Sequence, residues 1–179
     1  NDLISINGSG VEVIVLLSHD RVSSWEDDYT EEAAKRLYEA GITVYWTSST
    51  FRYTHAKFWI VDHNQVGIYS GNYAPSSVPQ NPAKGNREFG VIIYDTEVAT
   101  YYENVLLNDM AIGTPYSPGG STIGYLAGEP SSGSYDHPFT YATFDEVMEL
   151  TPVFSPDNSY QLISELVNSA QNTLDLELQ

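Results

Sequence analysis

The chain has 179 residues, enough for one domain with a real core, and its 41% hydrophobic content and 14 tyrosines suit a folded globule. Twenty-four acids against seven bases give a net charge of −17, which argues against a broad nucleic-acid surface and against docking on an anionic membrane. The absence of Cys excludes disulfides and zinc–thiolate sites, no run approaches the roughly 18 apolar residues of a membrane span, and no stretch has the form of a signal peptide, so the compartment is open.

Residues 11–17 are a near-continuous β-branched apolar run and read as a buried, parallel strand. Ser18, His19 and Asp20 follow. Adjacent side chains cannot form a catalytic relay, so they read as a loop at a strand's C-terminal end, near a ligand cleft. Residues 30–40 read as a helix, with Thr30 as N-cap, Glu31 and Glu32 in the first turn and Gly41 as C-terminal cap. Asp27, Asp28, Glu31 and Glu32 read as a solvated helix start, not a metal cluster. Residues 42–46 form the next strand, in a βαβ rhythm that implies a parallel sheet under helical cover.

Residues 54–72 concentrate the chemistry. Phe58, Trp59, Ile60 and Val61 make a strand, and alternation puts His55 and Lys57 on one face of it. Asp62, His63 and Asn64 are turn formers. A second strand follows through Val66, Ile68 and Tyr69, ending in Ser70 and Asn72, again two apart. A hairpin joining these faces gathers an imidazole, an ammonium, a hydroxyl and a carboxamide, a set that can attack and hold a phosphate group. Trp59 reads as core more than pocket lining, and His63 as surface. Lys57, Lys84 and Arg87 supply a local basic spot.

The loop at 73–86, rich in Pro, Ser and Asn, should border this cleft. Residues 87–95 form a strand and 97–108 a helix. Residues 112–138 change to Gly, Ser, Pro and Tyr with almost no charge, as a linker or long loop in which 122–126 is a candidate edge strand and His137 a loop histidine. Residues 147–154 read as extended, 155–158 as a turn, 159–170 as an amphipathic helix and 173–178 as a strand.

The order His55-x-Lys57-x4-Asp62-x6-Tyr69-Ser70-x-Asn72 resembles the signature of the phospholipase D superfamily, with Tyr69 at the position where that family usually has Gly. Glu88, opening the next strand, matches a further feature of the family. The resemblance covers about 150 residues, leaving out 112–140. It implies an α/β fold with a mixed, mostly parallel β-sheet flanked by helices, here permuted or strand-exchanged. On this reading 1–111 is the back portion of one module, 112–143 a linker or long loop, and 144–179 the opening strand–helix–strand of the next, so the chain is expected to be a fragment or processed product. A permuted module would pair 173–178 in the same sheet as 11–17.

What the resemblance implies about chemistry is a phosphodiesterase that passes through a covalent phosphohistidine. His55 is nucleophile or general acid; Lys57 and Asn72 stabilise the transition state; Ser70 donates to phosphate; Glu88 orients an imidazole; Asp62 has a structural part. No metal and no cofactor are required. Two His-x-Lys motifs must meet and the chain holds one, so the expected partner is a second copy or a second motif in a longer parent. The substrate is a phosphodiester, phospholipid or nucleic acid. The other reading is an inactive binding or scaffold relative.

Overall fold

In a computed structural model the described residues are 2–18, 26–51, 54–80, 85–119, 144, 147–155 and 157–178. They form α1 (Asp2–Gly8), β1 (Glu12–Leu17), α2 (Glu26–Glu39), β2 (Thr43–Trp46), β3 (Phe58–Val61), β4 (Gln65–Tyr69), β5 (Glu88–Tyr94), α3 (Thr96–Ile112), β6 (Thr114–Pro115), β7 (Glu149–Ser155), α4 (Ser159–Ser169) and β8 (Thr173–Leu178). The strands make one sheet in the order β6-β2-β1-β8-β3-β4-β5-β7.

The C-terminal strand is the centre of that order. β8 runs parallel to β1, with Glu12 opposite Thr173 and Leu17 opposite Leu178, and antiparallel to β3, with Phe58 opposite Glu177. The expected pairing of 173–178 with 11–17 is therefore made within one chain. Leu174, Leu176 and Leu178 of β8 are buried on one face with Val13, Val15, Trp59 and Val61, in a cluster with Leu3 and Ile6 of α1, Ala34 of α2 and Ile163, Leu166 and Val167 of α4. Each leucine so buried stabilises the fold by roughly 1.5–3 kcal/mol. On the other face Phe58, Ile60 and Val66 pack against Val98, Ala99 and Leu106 of α3.

The sheet is mixed, as expected, but it is not mostly parallel. Among the described residues only β1–β2 and β1–β8 pair in parallel; the β2–β6, β3–β8, β3–β4, β4–β5 and β5–β7 pairs are antiparallel. The cause is connection length. The three-residue turn between β3 and β4 permits only an antiparallel pair, whereas a parallel pair needs a crossover.

Local signals explain most of the boundaries. Gly41 takes φ 81° and donates to Tyr38 O at 2.9 Å, while Ile42 donates to Leu37 O at 3.1 Å. That is a Schellman cap, the ending expected for this helix. The start differs: α2 opens at Glu26, so Thr30 lies inside it and is not its N-cap. Glu31 and Glu32 therefore fall in its second turn and not in the first. α1, which sequence patterning did not suggest, has seven residues, too short to show a periodic stripe. α3 is longer than expected at both ends, beginning at an Asp95 cap whose carboxylate accepts the Val98 N–H. In the segment after α3, which ends at Ile112, β6 pairs with β2, and the Tyr116 hydroxyl donates to Glu31 at 2.8 Å. His19, Asp20, Lys84, the segment 122–126, His137 and the rest of 120–143 lie outside the described residues, as do the side chains of Asp27 and Asp28.

Candidate active site

The site forms at the open end of the β3–β4 hairpin. Regular pairing of β3 with β8 and β4 starts at Phe58, so His55 and Lys57 precede the strand and do not sit within it. One ladder bond continues past it, from the Tyr69 N–H to Lys57 O at 3.0 Å. His55 is exposed. Lys57 is 4% exposed, and its Nζ donates to the His55 carbonyl at 2.8 Å. Burial pushes the Lys57 ammonium down to about 8, against the opposing pull of the Glu88 carboxylate. Burial, and then the charge of Lys57, also lower His55 below its ordinary 6.5. A neutral imidazole at neutral pH is the nucleophilic form.

At the end of β4, Ser70 and Glu88 meet. The Ser70 hydroxyl donates to Glu88 Oε2 at 2.7 Å and accepts the Phe89 N–H at 3.0 Å. The Ser77 hydroxyl donates to Glu88 Oε1 at 3.1 Å. Both carboxylate oxygens thus hold a hydroxyl proton, which fixes a carboxylate whose charge acts on Lys57. Gly71 makes the approach possible. A Cβ there would lie 2.6 Å from Ser77 Cβ and 2.8 Å from Glu88 Cγ. Asn72 follows and is exposed.

Tyr69, at the family's Gly position, is absorbed by its neighbours. It lies opposite Gly90, where a Cβ would come within 2.6 Å of its ring. The ring packs against Trp59 at 6.1 Å between centroids, and the hydroxyl donates to Ser77 O at 2.6 Å. Tyr69 thereby fastens the 73–78 turn, which carries Ser77, against the hairpin. Trp59 is 2% exposed and belongs to the core. Sequence reading placed the 73–86 loop beside the cleft without singling out Ser77. A serine in a polar loop has no pattern of its own, and only the fold brings it to Glu88. Arg87 forms an ion pair with Asp157, from the turn before α4.

Asp62 and His63 lie at the other end of the hairpin. The Asp62 carboxylate accepts the backbone N–H groups of Gln171, Asn172 and Thr173 at 2.9, 2.7 and 3.0 Å, anchoring the start of β8. His63 is exposed, with Nδ1 3.1 Å from Glu103 Oε1. The fold also gathers His63 from this turn, Glu103 from α3 and Asp175 from β8.

A mixed α/β sandwich with a His-x-Lys at one strand and a Ser-x-Asn and Glu on its neighbours defines a phospholipase D-like domain. The chain belongs to the family described as cardiolipin synthase, PLD-like domain, whose model matches residues 1–110, and so to a superfamily of phosphodiesterases. No curated protein and no solved structure matches it. Among the described residues, no helix is long and apolar enough to cross a membrane.

Proposed function

We propose that this chain is a phosphodiesterase domain that works through a phosphohistidine at His55. The observation that carries the reading is the cluster at the hairpin's open end: an exposed imidazole biased to its neutral form, beside a buried lysine and a carboxylate locked by two serine hydroxyls. His55 Nε2 attacks phosphorus, the phosphorus–oxygen bond to the leaving alcohol breaks, and a second imidazole protonates that oxygen. Water then attacks the phosphohistidine, gives its proton to the second imidazole, and His55 leaves. Lys57 and Asn72 stabilise the charge on the five-coordinate phosphoryl group, Ser70 donates to a phosphoryl oxygen, and Glu88 positions an imidazole.

The chain carries one His-x-Lys, so the second imidazole comes from another copy or from the rest of a longer protein. That single copy is also what favours the second reading, a binding module that keeps the residues without assembling two sites. The net charge of −17 ranks a phospholipid above a nucleic acid as the source of the diester.

Hydrolysis of a bis-aryl phosphodiester, measured well below the unfolding temperature, tests the reading. Activity is expected to survive excess EDTA, to fall by about 10³-fold or more in His55→Ala, and to leave an acid-labile phosphoryl group on the wild-type chain. Loss of activity on chelation, restored by a divalent ion, overturns the mechanism. An inactive chain that binds the diester equally well as His55→Ala selects the binding module.

A further inference from the structure

The closed end of the β3–β4 hairpin holds a second group of chemistry-bearing side chains, which the phosphodiesterase reading does not use. Asp62 and His63 have φ of 49° and 58°, in the left-handed region, so the turn holds His63 at a fixed place. From there its Nδ1 reaches Glu103 on α3. Asp175, on β8, brings its carboxylate to the same point. One ligating atom from each of His63, Glu103 and Asp175 lies within 4.8 Å of the other two.

Asp175 is the anomaly. It is 5% exposed, and its register partners on the two neighbouring strands are Ile14 and Ile60. An apolar residue would fit that face. Among the described residues no hydrogen bond reaches its carboxylate. Its surroundings do not favour the charge either. Burial first, and then Glu103, push its acid–base midpoint up to about 6; His63 opposes this, and Glu12 adds to it. A buried carboxylate beside a second carboxylate and an imidazole is costly without a cation and favourable with one.

We propose that His63, Glu103 and Asp175 form a divalent-cation site that clamps the β3–β4 turn and α3 to the central strand β8. The donor set selects the ion. An imidazole nitrogen with two carboxylate oxygens suits zinc and its first-row neighbours, whereas calcium and magnesium prefer oxygen alone. Three protein ligands leave one position for water. His63 and Glu103 are partly exposed, at 51% and 24%, which gives the ion a way in. Zinc–ligand bonds of about 2.1 Å require about 3.4 Å between ligand atoms; His63 and Glu103 already stand within that spacing, and their side chains can close on Asp175, which is held by β8, by rotamer adjustment. His63 follows the last residue of β3 and His55 precedes the first, so at least the strand's length, about 13 Å, separates the two imidazoles. The cation is therefore structural and takes no part in phosphoryl transfer.

The test is a titration of the full chain, stripped with EDTA and dialysed, with zinc chloride by calorimetry, together with thermal unfolding. One zinc per chain is expected to bind, with a rise in melting temperature that calcium at the same concentration does not give. Asp175→Asn and, separately, His63→Gly are expected to weaken zinc at least tenfold and to abolish the rise. Glycine accepts the left-handed turn, so this variant keeps the fold even where Asp175→Asn does not. Zinc affinity unchanged in His63→Gly shows that ions gather only on the acidic surface, and overturns the site. An equal rise with calcium overturns the choice of ion class. Neither outcome bears on His55, because hydrolysis is expected to be unchanged in His63→Gly at a temperature where it is folded.

Discussion

The two ends of the β3–β4 hairpin use the same kinds of side chain to opposite purposes. At the closed end the Asp62 carboxylate accepts three backbone N–H groups, so its oxygens are committed to the chain itself. These bonds hold it below the usual carboxylate range although burial works the other way. At the open end the Glu88 carboxylate accepts two serine hydroxyls, groups that can rotate towards an incoming ligand. Backbone donors fix a fold; hydroxyl donors hold a charge in reserve. The difference teaches that an acid in a motif should be assigned by what satisfies it, not by its place in the pattern.

The strongest way to break the open end is to fill Gly71. In Gly71→Ala the new methyl meets Ser77 Cβ and both Glu88 Cγ and Cδ inside 3.0 Å, so Glu88 must leave Ser70. Overpacking of this kind costs about 1–3 kcal/mol. Hydrolysis is expected to fall by about tenfold or more, since small misplacements of positioning groups are amplified in rate. Wild-type activity in a normally folded Gly71→Ala chain would show that the Ser70–Glu88–Ser77 arrangement does not matter to the chemistry.

The matching break at the closed end is Asp62→Ala. It strips three N–H groups of one charged acceptor, and bonds to a charged partner contribute about 1.5–3 kcal/mol. Denaturant unfolding is expected to show a loss of about 2 kcal/mol, with kcat unchanged below the transition. A kcat that falls with Asp62→Ala while stability holds would move this residue from the fold to the site.

The same contrast explains what could be read from the sequence. The β-branched runs at 11–17 and 58–61 and the alternation at 173–178 mark strands because burial on a sheet demands those shapes, and Gly41 marks a helix end because few residues accept its φ. The residues of the open end were legible for a different reason: the spacing His55, Lys57, Ser70, Asn72 and Glu88 is a chemical pattern independent of packing. Ser77, Asp175 and Glu103 were not legible. Each gains its partners only when strands distant in sequence become neighbours, and β8 between β1 and β3 is the clearest instance. The antiparallel share of the sheet was missed because apolar runs report burial, not direction.

The finest test of the open end is its pH profile. The proposed chemistry needs a neutral His55 and a charged Lys57. His55 is lowered from 6.5 by burial and by Lys57, so the acid limb of kcat/KM is expected below that value, with activity rising as pH rises through it. Lys57 lies at about 8 and not at its ordinary 10.5, so the alkaline limb is expected near 8, with activity falling as the ammonium is lost. Stability moves the other way. Between about 8 and 10.5 the unfolded chain holds the lysine proton and the folded chain has released it, so Lys57's contribution to stability increases with pH over that interval. Activity lost while this contribution grows cannot be unfolding. Glu88→Gln removes the carboxylate that supports the Lys57 charge, and is expected to carry the alkaline limb further towards acid, with the acid limb left in place. A wild-type alkaline limb near 10 would mean that Lys57 is solvated in the working enzyme and that the buried ammonium is not the group that meets the phosphoryl charge.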